Sequence, residues 1–311
     1  MSKRKDEIGN LEFESLLTQG KESEFFADLL LEVEAVCKSL GLEKQRILAN
    51  YEQLWLPIAL DIAAKKNKAD RTYIQGILGG QGTGKTTLCK IIRCILNYLG
   101  FATATLSIDD LYLTYAQRQT LQQQDPRLIW RGPPGTHDTA LGLEIIDRCL
   151  QGSTQILMPR FDKSLFNGAG DRIASESIPK PDILLFEGWF VGVQPLVEYP
   201  AKFPNPIVTP EDRQFAIDND QRLKDYLPLW NKLDSLIVLY PEDYHLSQQW
   251  RREAEQKMIA TGKSGMSNEE CDRFVEYFWK ALHPELYIKP LLQTADMVVR
   301  IESDRRARLV F

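Results

Sequence analysis

The sequence predicts an α/β fold: a doubly wound parallel sheet flanked by helices, with an N-terminal helical extension and a helical lid. Three observations carry this reading. A strand-like apolar run, Tyr73 to Leu78, enters a glycine-rich turn that opens an amphipathic helix. A second strand-like run, Ala102 to Asp110, follows that helix and completes a βαβ unit. A third, Ile183 to Phe186, is apolar without interruption, as expected of a strand buried on both faces, and is the best neighbour for the first.

Residues 1–70 read as the helical extension and 71–311 as the main domain, with the lid over about 245–266. In the extension, Phe26, Leu29, Leu30, Val33, Cys37 and Leu40 form one helical stripe that Gly41 ends. Ile47, Tyr51, Leu54, Ile58 and Ile62 form a second, which Pro57 kinks or restarts. After the glycine turn, Leu88, Ile91, Ile92, Ile95 and Leu99 recur at helical spacing. A polar-faced helix follows over 113–124, then a Pro/Gly-rich loop over 125–138, whose Asp138 can cap a helix closed by Gly152. Residues 155–162 read as a strand running into a polar loop over 163–180, a candidate substrate surface. Five prolines between Pro195 and Pro210 make that segment irregular, and a polar helix continues to about Trp230. A strand over 233–240, the charged lid helix, a helix from Asn268 to Leu286 and a strand over 296–302 complete the chain.

The chain has 311 residues, 43% hydrophobic and 26% charged, enough to bury one large core plus an elaboration. A net charge of −5 gives no electrostatic footprint for nucleic acid. No run approaches the length of a membrane span, so no membrane partner is expected, and the protein is expected to stay in the cytoplasm or else to arrive elsewhere with a removed transit peptide. Five scattered cysteines without a C-x-x-C pair read as buried thiols in a reducing compartment. Cys89, one turn into the helix after the glycine turn, is the one that a helix dipole could activate.

Chemistry concentrates in the glycine turn. Gly79, Gly84, Lys85 and Thr86 match G-x-x-x-x-G-K-[ST], the phosphate-binding loop of P-loop NTPases. The whole stretch Gly79, Gly80, Gln81, Gly82, Thr83, Gly84, Lys85, Thr86 and Thr87 is therefore the nucleotide-binding candidate. Glycines let backbone N–H groups point at phosphate oxygens, and the helix N-terminus adds its positive dipole end. Lys85 would reach the β- and γ-phosphates of ATP, and the Thr86 hydroxyl would hold Mg²⁺. Asn231, Lys232, Leu233 and Asp234 spell the guanine-reading N-K-x-D of GTPases. Context excludes that reading, because the strand follows the motif instead of preceding it and no D-x-x-G lies between it and the loop.

A small-molecule kinase needs a carboxylate for the acceptor hydroxyl, another for the metal, and cations on the transferring group. Asp109 ending the second strand, Glu187 ending the buried one, and Arg251 and Arg252 on the lid helix are the candidates.

The combination of the glycine turn with SIDDLYLT, FDKS, PDILLFEGW and WRREAEQKM resembles the uridine kinase, phosphoribulokinase and pantothenate kinase group of P-loop kinases. Within it, WRGPPGTHD, MPRFDKSLFNGAGDR, LLFEGWFVG and the lid stretch are similar, in the same order, to the photorespiratory D-glycerate 3-kinase family over roughly residues 50–310. The resemblance implies phosphoryl transfer from ATP to D-glycerate with Mg²⁺, giving 3-phosphoglycerate. It implies Asp109 as general base, Lys85 and Thr86 as phosphate and metal ligands, and Glu187 as the carboxylate assisting the metal. A glycerate carboxylate calls for a guanidinium fork, with Arg131, Arg160 and Arg172 as candidates. His137, Asp138 and Asp162 fall at positions that resemble substrate loops, with a helix cap and a structural histidine as the other readings of the first two. Another hydroxyl substrate, such as a nucleoside or pantothenate, and a non-catalytic nucleotide switch remain the alternatives.

Overall fold

Residues 24–42, 44–260 and 265–310 are described by the structure, a computed structural model. The expectations for residues 1–23 of the extension and 261–264 of the lid lie outside the described residues. In chain order the strands are β1 (Tyr73–Gly79), β2 (Thr103–Ser107), β3 (Gln155–Asp162), β4 (Asp171–Pro179), β5 (Ile183–Gly188), β6 (Ser235–Pro241), β7 (Met297–Ile301) and β8 (Ala307–Val310). Six of them form one sheet in the order β2-β5-β1-β6-β7-β8, parallel except for β8. As expected from its uninterrupted apolar run, β5 lies directly beside β1.

Both central strands are buried throughout, and alternation along β1 divides the core into two layers. Ile77 faces one layer with Leu185 and Ile237, where helices α1 (Glu24–Ser39), α2 (Lys44–Asn50), α3 (Leu56–Asn67) and α4 (Lys85–Tyr98) pack. Ile91, Ile92 and Ile95 of α4 meet Ile58 and Ile62 of α3 and Leu29 and Val33 of α1 there. Each such side chain, fully buried, contributes roughly 1.5–3 kcal/mol of transfer free energy. Ile74 and Leu78 face the other layer, against Ile145 and Ile146 of α6 (Thr139–Gln151) and Leu229 of α8 (Leu227–Trp230). Helices on both faces make the sheet doubly wound.

Several elements differ from expectation, each for a local reason. Residues 171–179, read as loop, form β4 and pair antiparallel with β3 in a separate hairpin. Most β4 side chains face solvent, so no apolar alternation marked it as a strand. The polar helix before Trp230 breaks into α7 (Pro210–Arg222), a 3₁₀ turn and α8, where Pro228 cannot continue the ladder. The helix expected over 268–286 ends at Ala281 as α10 (Asn268–Ala281), and Pro284 starts the short α11 (Pro284–Tyr287). A π-helical turn at Tyr51–Trp55 precedes α3, which starts afresh with Pro57 in its first turn. Two further helices are α5 (Tyr115–Gln124) and α9 (Leu246–Ala260), the latter within the segment expected as the lid. The N-K-x-D residues are structural: the Asp234 carboxylate accepts the Ile74 amide at 2.8 Å and pairs with Arg71. No helix among the described residues is long and apolar enough to cross a membrane.

Candidate active site

Parallel strands place the C-terminal ends of β1, β2 and β5 along one edge, and the register sets Glu187 between Ile77 of β1 and Ser107 of β2. Gly79 turns out of β1 so tightly that a Cβ there would lie 2.6 Å from the Thr83 hydroxyl. Gly82 is left-handed, φ +75°, and a Cβ on it would lie 2.8 Å from Trp250, which packs onto the loop. Gly84, also left-handed, is the N-cap of α4, whose first-turn amides have no intrahelical acceptor. The Lys85 ammonium donates to the Gly80 carbonyl at 3.1 Å, spanning the cradle it would share with phosphate. From α4, the Thr86 hydroxyl donates to Glu187 Oε1 at 2.9 Å, and Glu187 is buried. Among the described residues no cluster of three His, Cys, Asp or Glu side chains forms a metal cage. Magnesium at phosphates typically takes only one or two hard protein oxygens, and the Thr86–Glu187 pair has that chemistry.

Cys89 lies in the core of α4 and is not activated. Burial, and then the Glu187 charge, push its pKa well above the ordinary thiol value, more than Lys85 pulls it down. The dipole expectation loses to desolvation.

Asp109 does not end the strand: β2 stops at Ser107, and Asp109 lies in the 3₁₀ turn (Ile108–Leu111) that follows. Its half-buried carboxylate pairs with Lys163 at 2.6 Å, and Lys163 reaches it from the β3–β4 hairpin. Burial raises its pKa, but the Lys163 charge and hydrogen bond, together with the Tyr112 hydroxyl, outweigh burial and leave it below the usual carboxylate range. Asp110 is spoken for: it accepts from the amides of Ser107 and Phe161 and from Arg160. Asp110 caps its own turn, closing a box with Ser107, while Asp109 projects to the hairpin lysine.

The three candidate arginines differ in their partners. Arg160 pairs with Asp110 and Glu176, and Arg172 with Asp138 and the Tyr112 carbonyl. Asp138 caps α6 through the Leu141 amide, so its cap reading holds alongside the Arg172 pair. Arg131 has no carboxylate partner among the described residues; it donates to the carbonyls of Gly168 and Ala169. Asp162 accepts from the Ser164 amide and hydroxyl and so shapes the hairpin turn.

His137 is buried beside this group, its ring stacked on Tyr112 at 4.5 Å. Its Nδ1 lies 2.8 Å from the Tyr226 hydroxyl, whose oxygen already accepts the Gly135 amide. With the tyrosine hydrogen on Nδ1, the neutral ring would carry its proton on Nε2. That Nε2 is buried without a partner. Burial lowers the His137 pKa to about 3, despite the nearby Asp109 charge.

Helix α9, expected as the lid, touches the phosphate loop through Trp250, not through its arginines. Arg251 pairs with Glu255 and lies over the Phe274 ring at 4.9 Å; Arg252 pairs with Asp272. Both arginines are thus turned toward α10 in this conformation, and the structure does not bring them to the loop. Lys163, Tyr112, Tyr226 and Trp250 were not singled out in the sequence. The first two lay inside FDKS and SIDDLYLT, whereas Tyr226 is 89 residues from His137 and carried no signal.

Fold and loop together define a P-loop protein of the α/β nucleotide-binding class, with a metal-type oxygen pair and an ionised aspartate along one sheet edge. The chain is 33% identical over 244 residues to the chloroplastic D-glycerate 3-kinase of Arabidopsis thaliana, a match covering 74% of this chain and 52% of that protein. It is 31% identical over 225 residues to the uncharacterized kinase mug58 of Schizosaccharomyces pombe, covering 67% of this chain and 79% of that one. The solved D-glycerate 3-kinase from Cryptococcus neoformans superposes with a TM-score of 0.67 at 25% identity, over 82% of this chain and 97% of that one. No protein-family model matches. The chain belongs to the P-loop kinase family that these relatives represent, and it spans about half the length of the Arabidopsis protein.

Proposed function

We propose that this chain is an ATP-dependent kinase that transfers the γ-phosphate to the 3-hydroxyl of D-glycerate, giving 3-phosphoglycerate and ADP. The observation that carries the proposal is Asp109, an ionised carboxylate held on the same sheet edge as the phosphate loop and the Thr86–Glu187 pair. A protein that only bound nucleotide would have no use for it. Likeness to the Arabidopsis and Cryptococcus proteins, both named D-glycerate 3-kinase, supports the choice of acceptor.

In this reading the loop amides and Lys85 hold the β- and γ-phosphates, and Lys85 exchanges the Gly80 carbonyl for phosphate oxygen. Magnesium, which Thr86 and Glu187 would hold, supplies charge neutralisation on the phosphates. Asp109 orients the acceptor O–H and takes its proton late as the oxygen–phosphorus bond forms and the bond to ADP breaks. Arg251 and Arg252 reach the transferring group only after leaving Glu255 and Asp272. The partnerless Nε2–H of His137 serves as a neutral donor to the acceptor.

The test is ADP release by purified protein with ATP and Mg²⁺ across D-glycerate, L-glycerate, nucleosides and pantothenate. D-Glycerate is expected to have the highest kcat/KM. Preference for a nucleoside or pantothenate would replace the substrate; nucleotide binding with no acceptor-dependent turnover would leave the switch reading.

A further inference from the structure

Two guanidinium groups near Asp109 keep their charge. Arg131 and Arg118 both donate to backbone carbonyls of one tight turn: Arg131 to Gly168 and Ala169, Arg118 to Ala169 and Gly170 as well as to Leu113. That turn runs through three successive left-handed residues, Phe166, Asn167 and Gly168, which swing its carbonyls toward the arginines. Both groups lie over the Phe161 ring, at 5.5 and 5.4 Å, and Arg131 also lies over Tyr112 at 5.8 Å, the tyrosine beside Asp109.

The contrast with their neighbours is electrostatic. Arg160, Arg172, Arg251 and Arg252 are each neutralised by a carboxylate, whereas neither Arg118 nor Arg131 has one at ion-pair distance among the described residues. Asp171, the carboxylate that acts on Arg118, is already occupied by the amides of Tyr115 and Arg172. Burial, and then the Arg131 charge, lower the Arg118 pKa, as two uncompensated cations in one low-dielectric place require. Arg118 spends its N–H groups on three carbonyls, but Arg131 uses only Nη1, so its other N–H groups have no acceptor among the described residues. Carbonyls fix a guanidinium without cancelling its charge, which is what a carboxylate reader needs.

We infer that Arg131 grips the carboxylate of the acceptor, and that Arg118 is a positioning residue that holds the 165–170 turn on which Arg131 rests. The inference rests on the proposed hydroxy-acid substrate and chooses among its three arginines. It also makes the acceptor class anionic: a small hydroxy acid whose carboxylate lies on Arg131 while its hydroxyl lies at Asp109.

Steady-state kinetics with ATP and either D-glycerate or glycerol, which keeps the hydroxyls and lacks the charge, separate the possibilities. Arg131→Met is expected to raise the KM for D-glycerate roughly 10- to 100-fold, the scale of a lost ionic hydrogen-bonded contact, with the KM for ATP unchanged. The preference for glycerate over glycerol should collapse, and Arg131→Lys should restore part of it. Arg118→Met should raise the same KM by less, leaving kcat nearly intact. An unchanged glycerate KM and selectivity in Arg131→Met overturns the inference. An unchanged ATP KM in the same protein rules out misfolding as the cause of a loss. Wild-type protein that prefers another hydroxy acid but loses it in Arg131→Met overturns the glycerate assignment and upholds the subsite. Wild-type protein that uses only uncharged acceptors overturns both.

Discussion

The phosphate loop and the residues around Asp109, the two ends of the proposed site, are built of different materials. At the phosphate end, backbone does the holding: glycines with left-handed angles, the first turn of α4, and one lysine resting on a loop carbonyl. At the acceptor end, side chains from distant segments converge: Asp109 from after β2, Arg131 and His137 from the 125–138 loop, Lys163 from the hairpin and Tyr226 from the turn before α8. A backbone site depends on a short, contiguous sequence, so it is rigid and locally encoded. A side-chain site can change its chemistry one residue at a time, and so is where substrate choice resides.

The largest effect that would break this contrast lies at the phosphate end. Lys85→Ala should abolish turnover, a loss of more than about 10³-fold, and weaken ATP binding, since it removes a charge from the transferring group. Persistent activity would remove the nucleotide-site reading. Next comes the aspartate pair. Asp109→Asn should lower kcat by roughly 10²- to 10⁴-fold with ATP affinity nearly unchanged. Asp110→Asn should show the opposite profile, with modest loss of kcat but a stability cost of about 1–3 kcal/mol in thermal or urea melts, because it caps its turn and takes the Phe161 amide. Inactivity of the Asp110 variant with an active Asp109 variant would reverse the assignment. A smaller effect sharpens the lid: at least one of Arg251→Ala and Arg252→Ala should lower kcat about tenfold or more. Near wild-type turnover in both, together with no ligand-dependent hydrogen exchange over α9, would leave that helix structural.

The smallest effect is on pH dependence. Asp109 must be ionised to accept a proton, and its pKa lies below the usual carboxylate range. The acid limb of kcat/KM should therefore fall only as pH drops through that lowered value, and Lys163→Met should move it upward. His137, lowered to about 3, stays neutral through the assay range and adds no inflection near 6.5. A limb at the ordinary histidine value that disappears in His137→Gln would contradict the neutral donor.

Legibility in the sequence followed the same division. The glycine turn, the amphipathic α4 and the uninterrupted β5 were local patterns, and each formed where expected. Asp109 was legible as a residue but not as a geometry, because a strand end and a 3₁₀ turn look alike over two residues. Arg131, Arg160 and Arg172 were indistinguishable in sequence, since the carboxylates that neutralise two of them lie at Asp110 and Asp138, 50 and 34 residues away. Strand β4 was hidden because its side chains mostly face solvent, so only its ladder with β3 defines it. Strand β8 is a four-residue antiparallel edge with too short a pattern to read.

The proposed reaction is a phosphoryl transfer to one particular oxygen, and proton-coupled ³¹P NMR of the reaction of this protein with ATP, Mg²⁺ and D-glycerate reads it directly. Phosphate on the 3-oxygen is attached to a CH₂ group and should give a triplet, growing with ADP in equal amount. A doublet from phosphate on the CH oxygen would mean that Asp109 addresses the 2-hydroxyl, and no new phosphate ester at all would contradict the assignment of this cleft to glycerate.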